Sequence, residues 1–180
     1  MMQTEWFQIK KDPDAPGIAD GGNFNRKNYP YFVDEKTFSK IDDAVAFYSG
    51  KIIECDVLFE PTLLIHDRLQ QLFKFLDPDL EFKGVQLYEI SRREKAAMPL
   101  YWLPFLPTSK IISEDSLILL GKAKKLVLDS KFLEEKIFAG KRILHCTLPA
   151  EDIWLLNLDA AECFLRRQPV GVLLEKISVK

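Results

Sequence analysis

Five side chains in this sequence belong to the types that do nucleophilic or metal chemistry: Cys55, Cys146, Cys163, His66 and His145. A zinc site needs about four such ligands, usually in pairs a few residues apart. Only His145 and Cys146 are close together, and neighbours on a strand point to opposite faces. No metal site is expected. A cysteine nucleophile needs only a histidine that meets it in space. Cys55 with His66, or Cys163 with His145, could supply that pair, and neither lies in a local catalytic signature. The plainer account has the thiols packing as small hydrophobes and His66, beside Asp67, hydrogen-bonding at a helix start.

Other chemistries find less support. A phosphate-cradling loop needs closely spaced glycines at a strand-to-helix junction, and no helix clearly begins at Gly17, Gly21 or Gly22. No strained elbow marks a nucleophilic serine. The acid pairs Asp42-Asp43 and Glu134-Glu135 are adjacent, and adjacent residues do not face each other. They read as solvated surface, as do the basic clusters Arg92-Arg93 and Lys122, Lys124 and Lys125. No catalytic, cofactor-binding or metal-ligating residue is assigned, and the chain reads on balance as a non-enzyme.

The most unusual stretch is Met98 to Pro107, with three prolines among Tyr101, Trp102 and Phe105. Three prolines exclude a helix and argue against a central strand. Exposed, the three aromatics would be partner-contact residues of the kind that anchor interfaces. Turned inward, they would plug the core, and this is favoured because large apolar patches are seldom left exposed.

The elements that must position these residues are short and mixed. Thr4 to Lys10 reads as a first strand. Residues 12–30 carry three prolines and three glycines with no apolar period, and form a long loop or arm. Phe38, Ile41, Val45 and Tyr48 recur at helical spacing, which predicts one or two short helices between Asp34 and Tyr48. Ile52 to Phe59 and Leu63 to His66 read as strands. Asp67 with Gln70 fits a capping box, and Leu69, Leu72, Phe73 and Leu76 form one apolar stripe ended by Asp77-Pro78-Asp79. Glu81 to Ile90 is a strand whose alternation slips near Gly84, as at a bulge.

Further strands are expected at Leu117 to Leu120 and Lys125 to Asp129 about a turn at Gly121, and at Lys136 to Ala139, Arg142 to Thr147 and Asp152 to Leu156. Asn157 or Asp159 caps a second clear helix with Leu158, Ala161 and Leu165 inward, Pro169 ends it, and Val170 to Val179 closes the chain as a strand. Strands and helices do not alternate strictly. The expected fold is therefore α+β, with a mixed or mostly antiparallel sheet and two to four short helices.

The 180 residues suit one domain, with 12–30 as a loop within it. A net charge of −2 argues against nucleic acid as a partner, because phosphate neutralisation needs a basic excess. It gives no pull toward anionic lipid either. No apolar run is long enough to span a bilayer, the start lacks a signal-peptide pattern, and three widely spaced cysteines are not a secreted disulfide framework. A cytoplasmic protein is expected.

Three stretches resemble immunity family eleven of bacterial polymorphic-toxin systems, first described as a domain of unknown function. The first is Leu64-Ile65-His66-Asp67-Arg68-Leu69, running into a helix and then Phe82 to Ile90. The second is Ile111-Ile112-Ser113-Glu114-Asp115-Ser116, followed by Leu126-Val127-Leu128-Asp129 and Ile137-Phe138. The third is Ile153-Trp154-Leu155-Leu156-Asn157, then Ala160 to Arg167, with Gly171 in the closing strand. The resemblance covers roughly residues 50–180. The chain departs from the family pattern at His66-Asp67, where a serine-type cap is expected, and between Lys131 and Thr147, which is longer than usual. The resemblance implies an α+β domain that binds and blocks a cognate protein toxin, without a cofactor. Two other readings stay open: an enzyme using a Cys–His or acid–base pair, and a module that self-associates through the Pro-aromatic stretch.

Overall fold

A computed structural model describes residues 5–15, 35–41, 44–48, 55–59, 62–89, 100–106, 111–112, 117–120, 125–128, 140–148 and 151–179. The fold is α+β, as the mixed order of elements implies. In chain order the elements are β1 (Trp6–Lys11), α1 (Glu35–Lys40), β2 (Ala44–Tyr48), β3 (Val57–Leu58), β4 (Leu64–His66), α2 (Asp67–Leu76), β5 (Glu81–Glu89) and β6 (Leu100–Phe105). Then follow β7 (Ile111–Ile112), β8 (Leu117–Leu120), β9 (Lys125–Leu128), β10 (Ile143–Leu148), β11 (Glu151–Asn157), α3 (Leu158–Leu165) and β12 (Val172–Val179). The expected strand at Lys136 to Ala139, the turn at Gly121 and most of the 12–30 segment lie outside the described residues.

The strands form two sheets. One is seven-stranded, in the order β7-β10-β11-β1-β12-β9-β8; the other is five-stranded, β2-β5-β6-β4-β3. The first strand of the chain therefore ends at the centre of its sheet, antiparallel to β11 and to the closing strand β12. The helices α2 and α3 join the two sheets. Helix α2 packs on β4 and β6, α3 on β11 and β1, and the two helices meet. Phe73 of α2 and Phe164 of α3 touch edge to face, with centroids 6.1 Å apart. The apolar stripe Leu69, Leu72, Phe73 and Leu76 is buried there, in one cluster with Ile9, Ile65, Trp154 and Leu156 from both sheets. Side chains of this size each contribute about 2 kcal/mol on burial, so this shared cluster resists separation of the sheets.

Several elements differ from the sequence reading. Val45 and Tyr48 lie not on a helix but on β2, which pairs in parallel with β5 from Ala44↔Val85 to Tyr48↔Glu89. Only Phe38 and Ile41 of that periodic set belong to α1 and the residue after it, and both are buried. An Ala-Val-Ala-Phe-Tyr run suits a strand once a partner is beside it. Helix α2 is capped by His66, whose Nδ1 accepts the Arg68 amide at 3.2 Å, rather than by Asp67. Asn157 caps α3, its Oδ1 accepting the Ala160 amide at 2.9 Å. The inner face of α3 is Ala160, Ala161 and Phe164, while Leu165, one residue further round the helix, is 54% exposed.

The Pro-rich stretch does supply a central strand. Strand β6 runs between β5 and β4, but β4 engages only Tyr101 and Trp102. Pro104 thus sits where β6 has a ladder neighbour on one side only, a position that tolerates a missing N–H. Pairing of β5 with β6 runs without a break from Glu81↔Phe105 to Gln86↔Leu100, so there is no bulge at Gly84. The glycine lies directly opposite Trp102. Cross-strand partners share a face, so the smallest residue makes room for the largest.

Two glycines take left-handed backbone angles: Gly140 at φ 69° and Gly171 at φ 85°. A Cβ on Gly140 would meet nothing within 4 Å, whereas one on Gly171 would come within 2.8 Å of the Cys55 Sγ. Gly140→Ala should therefore cost only the backbone penalty, about 1 kcal/mol. Gly171→Ala should add the overpacking cost, for a total of about 2–4 kcal/mol. Urea denaturation of the two variants checks this; equal losses would show that Cys55 does not press on Gly171.

Candidate functional site

The three aromatics of the Pro-rich stretch are placed mostly inward. Tyr101 is buried, its hydroxyl donating to the Cys55 carbonyl at 2.5 Å and its ring meeting His66 edge-on at 5.3 Å. Phe105 is buried and stacks on Phe38 at 4.6 Å. Trp102 is half-buried against the core, and its Nε1 donates to Asp67 Oδ1 at 2.7 Å. Tyr101 is therefore held against Cys55 and His66 and Phe105 against α1, and only Trp102 keeps part of its ring at the surface.

Among the described residues, two thiols and both imidazoles are packed into the structure or bonded within it. Cys55 is buried, and its thiol is pushed up from its ordinary value by burial, then by the Asp56 charge, against an opposing pull from Lys11. His66 spends its Nδ1 lone pair on the α2 cap. His145 is buried and stacks on Trp154 with centroids 4.2 Å apart. Cys163 is half-buried against the shared core. The Cys146 side chain and both adjacent acid pairs lie outside the described residues. Among the described residues no three His, Cys, Asp or Glu side chains are grouped to hold a metal ion. None of the described helices is long and apolar enough to cross a membrane.

The densest polar cluster lies elsewhere, around Asp56, and composition gave little sign of it. Asp56 follows Cys55 at the start of β3, and its carboxylate is almost fully buried. Arg68, on the first turn of α2, grips it with a fork: Nε donates to one oxygen and Nη2 to the other. The same carboxylate accepts the Val170 amide at 2.6 Å. The Asp56 backbone is used as well, its N–H donating to the Val170 carbonyl at 2.9 Å and its carbonyl accepting the His66 amide at 2.7 Å. Arg68 then reaches across to the carbonyls of Arg167 at 2.9 Å and Gln168 at 3.2 Å. The bond to Asp56 raises the Arg68 guanidinium further above its ordinary value. A bidentate guanidinium–carboxylate pair combines strength with fixed geometry.

This junction holds the turn between α3 and β12. Gln168 is held at φ 48°, an uncommon angle for a residue with a side chain. Arg68 binds its carbonyl, and Gln168 N–H donates to the Leu165 carbonyl at 2.9 Å. Gly171 is seated against Cys55, and its carbonyl accepts the Asp12 amide at 3.2 Å. Strained angles persist where neighbours over-determine them, and this turn is tied to β1, β3 and α2 at once.

What the turn presents outward is apolar and cationic. The exposed large hydrophobics among the described residues are Phe75, Leu165, Val170 and Leu173. Three of them fall between residues 165 and 173, interleaved with the exposed Arg166 and Arg167. Arginine is enriched at protein interfaces, and large apolar side chains left exposed near it are candidates for contact with another protein. Compared with the models of known protein families and with curated protein sequences, the chain matches none.

Residue types alone do not mark this site, because its side chains form a clamp and not a reactive group. Two signals were present: an aspartate inside the apolar run Ile52 to Phe59, and a leucine in the last helical turn beside two arginines, before Pro169 and Gly171.

Arg68→Ala leaves the buried Asp56 carboxylate without its cation, a change that costs about 3–5 kcal/mol when both partners are fully buried. Arg68 is 44% exposed, so solvent reduces this and a loss of about 2–3 kcal/mol is expected. The double variant with Asp56→Ala should lose less than the sum of the singles by at least about 1 kcal/mol; strict additivity in urea titrations would contradict the pairing. Cys55 gives a separate, alkaline signature. Its folded thiol keeps its proton to higher pH than the unfolded one, so the stability it contributes is complete below the unfolded value of about 8.5. That contribution falls as pH rises toward the folded value. The wild type should lose more stability than Cys55→Ala between pH 7 and 10, and native Cys55 should resist iodoacetamide at pH 8.

Proposed function

We propose that this chain is a non-enzymatic protein-binding domain, and specifically an immunity protein that blocks a cognate toxin in the cytoplasm of the cell making both. The observation that carries the reading is the clamped turn at residues 165–173, which holds three of the four exposed large hydrophobics among the described residues on backbone fixed by Asp56 and Arg68. A surface fixed before encounter loses little conformational freedom on binding, which favours tight association. The resemblance to immunity family eleven supports the same reading. Two of its three stretches, Leu64 to Leu69 and Ile153 to Arg167 with Gly171, contribute Arg68, Arg167 and Gly171 to this junction.

Blocking needs no chemistry from the blocker. A turn seated on a toxin surface excludes the toxin's own substrate, and a slow off-rate preserves the block. The Cys–His form of the enzyme alternative would need a thiol that ionises near neutrality, and burial opposes this at Cys55. Self-association through the Pro-aromatic stretch would need Tyr101 and Phe105 at the surface, and both are buried.

The test is co-purification with the product of the gene immediately upstream in the source genome. A tight complex is expected with the wild type. Leu165→Gln and Val170→Gln should weaken it by at least about 100-fold, with little change in urea midpoint because both side chains are exposed and neither change adds a charge beside the buried Asp56 carboxylate. A complex indifferent to both variants would remove the turn from the interface, and no complex at all would remove the immunity reading.

A further inference from the structure

The cap of α2 is a titratable group, and it adjoins the clamp. His66 closes β4, and its Nδ1 accepts the Arg68 amide at 3.2 Å. A ring nitrogen that accepts carries no hydrogen, so this cap exists only while the imidazole is neutral. The His66 amide donates to the Asp56 carbonyl at 2.7 Å, and the Arg68 side chain grips the Asp56 carboxylate. One histidine thus bonds both partners of the clamp, Asp56 through its backbone and Arg68 through its ring. It is half-buried, so water reaches it. The turn held by the clamp is strained. Gln168 takes φ 48° immediately before Pro169, and a residue preceding proline is pushed toward extended backbone. Arg68 Nη2 holds the Gln168 carbonyl at 3.2 Å. Such an angle persists only while its neighbours impose it.

We propose that His66 is a proton-sensitive latch: protonation of its ring uncaps α2, loosens Arg68 and so releases the α3–β12 turn. Histidine is the side chain that ordinarily changes charge between pH 5 and 8. With a hydrogen on Nδ1, ring and Arg68 amide face each other as two donors, and the amide loses its acceptor. The new cation also lies at the positive end of a helix. Strand β4 packs against α2, β3 and β6. On α2, the Asp67 charge opposes the change, but Asp67 is exposed and its Oδ1 accepts from Trp102 Nε1 at 2.7 Å. Arg68 repels the new charge, less so for being paired with Asp56. Lys74, near the other end of α2, is bonded to the Pro78 and Leu80 carbonyls. On the β3 side, Cys55 is buried and the Asp56 carboxylate is taken by Arg68 and Val170. On β6, Tyr101 meets the imidazole edge-on, and its hydroxyl donates to the Cys55 carbonyl. The closed junction needs the neutral ring, so the cap contributes stability at neutral pH and that contribution is lost as pH falls. The latch belongs to the fold and needs no partner protein.

The experiment uses the isolated full chain and its His66→Asn variant, since asparagine caps a helix without titrating. Urea midpoints and Val170 amide protection factors are measured at about pH 7.5 and 5.5. Between the two, the wild type should lose at least about 0.4 M more in midpoint than the variant. Its Val170 protection should fall at least about 5-fold further. His145 and the carboxylates are common to both proteins, so the difference belongs to His66. Equal responses overturn the latch, and so does a midpoint difference that leaves Val170 protection unchanged. If His66→Asn fails to fold, the wild type alone decides: the Arg68 and Val170 amide resonances should shift in step with titration of the His66 ring. Resonances that stay fixed while the ring takes its proton overturn the proposal.

Discussion

One buried carboxylate carries much of this architecture. Asp56 would cost several kcal/mol if left charged and unpaired in the interior, so the chain must bring a cation and N–H donors to it. The partners come from far along the sequence: Arg68 from the first turn of α2, and Val170 from the turn after α3. Their convergence ties the five-stranded sheet, through β3 and β4, to the end of α3 and the start of β12 in the seven-stranded sheet. The hydrophobic cluster around Phe73 and Phe164 supplies the larger driving force for joining the sheets. Apolar burial is non-directional, however, and does not by itself decide how the α3–β12 turn sits. The carboxylate and its fork decide that.

The functional reading follows from the same division of labour. Three candidates among the described residues are spent on packing and caps: Cys55 under Gly171, His66 at the head of α2, His145 on Trp154. The polar order concentrates instead beneath a turn whose outer residues are leucine, valine and arginine. A protein that must hold another protein has reason to fix such a surface in advance, because loops that order on binding subtract from affinity. On the proposed binding role, the clamp and the exposed side chains are two parts of one device, with Asp56 and Arg68 holding the turn that carries Leu165, Val170 and the exposed arginines.

Much of the fold could be read from local pattern. The α2 stripe, a cap for α3 at Asn157 or Asp159, the strands β8 and β9, and the strands at both ends of the chain all announce themselves through period and local chemistry. The α+β class followed from their irregular order. What stayed hidden depends on contacts distant in sequence. Val45 and Tyr48 have helical spacing and become strand because β5 lies beside them. Pro104 enters an interior strand because β4 stops short of it. Leu165 leaves the core because Ala160, Ala161 and Phe164 take the inner face. The site was least legible of all, since Asp56, Arg68 and Val170 span 114 residues and carry no motif.

Amide hydrogen exchange at Val170 tests the clamp most directly. Val170 lies in an exposed turn with its side chain 45% exposed, where an unanchored amide would exchange within seconds. Its N–H is held by the buried Asp56 carboxylate at 2.6 Å, so exchange is expected to require opening of the junction, with protection approaching that of the core amides of β11 and α3. Fast exchange at Val170 beside a slowly exchanging core would contradict the account: the turn would then be loosely held, and the preformed surface on which the binding role rests would not exist.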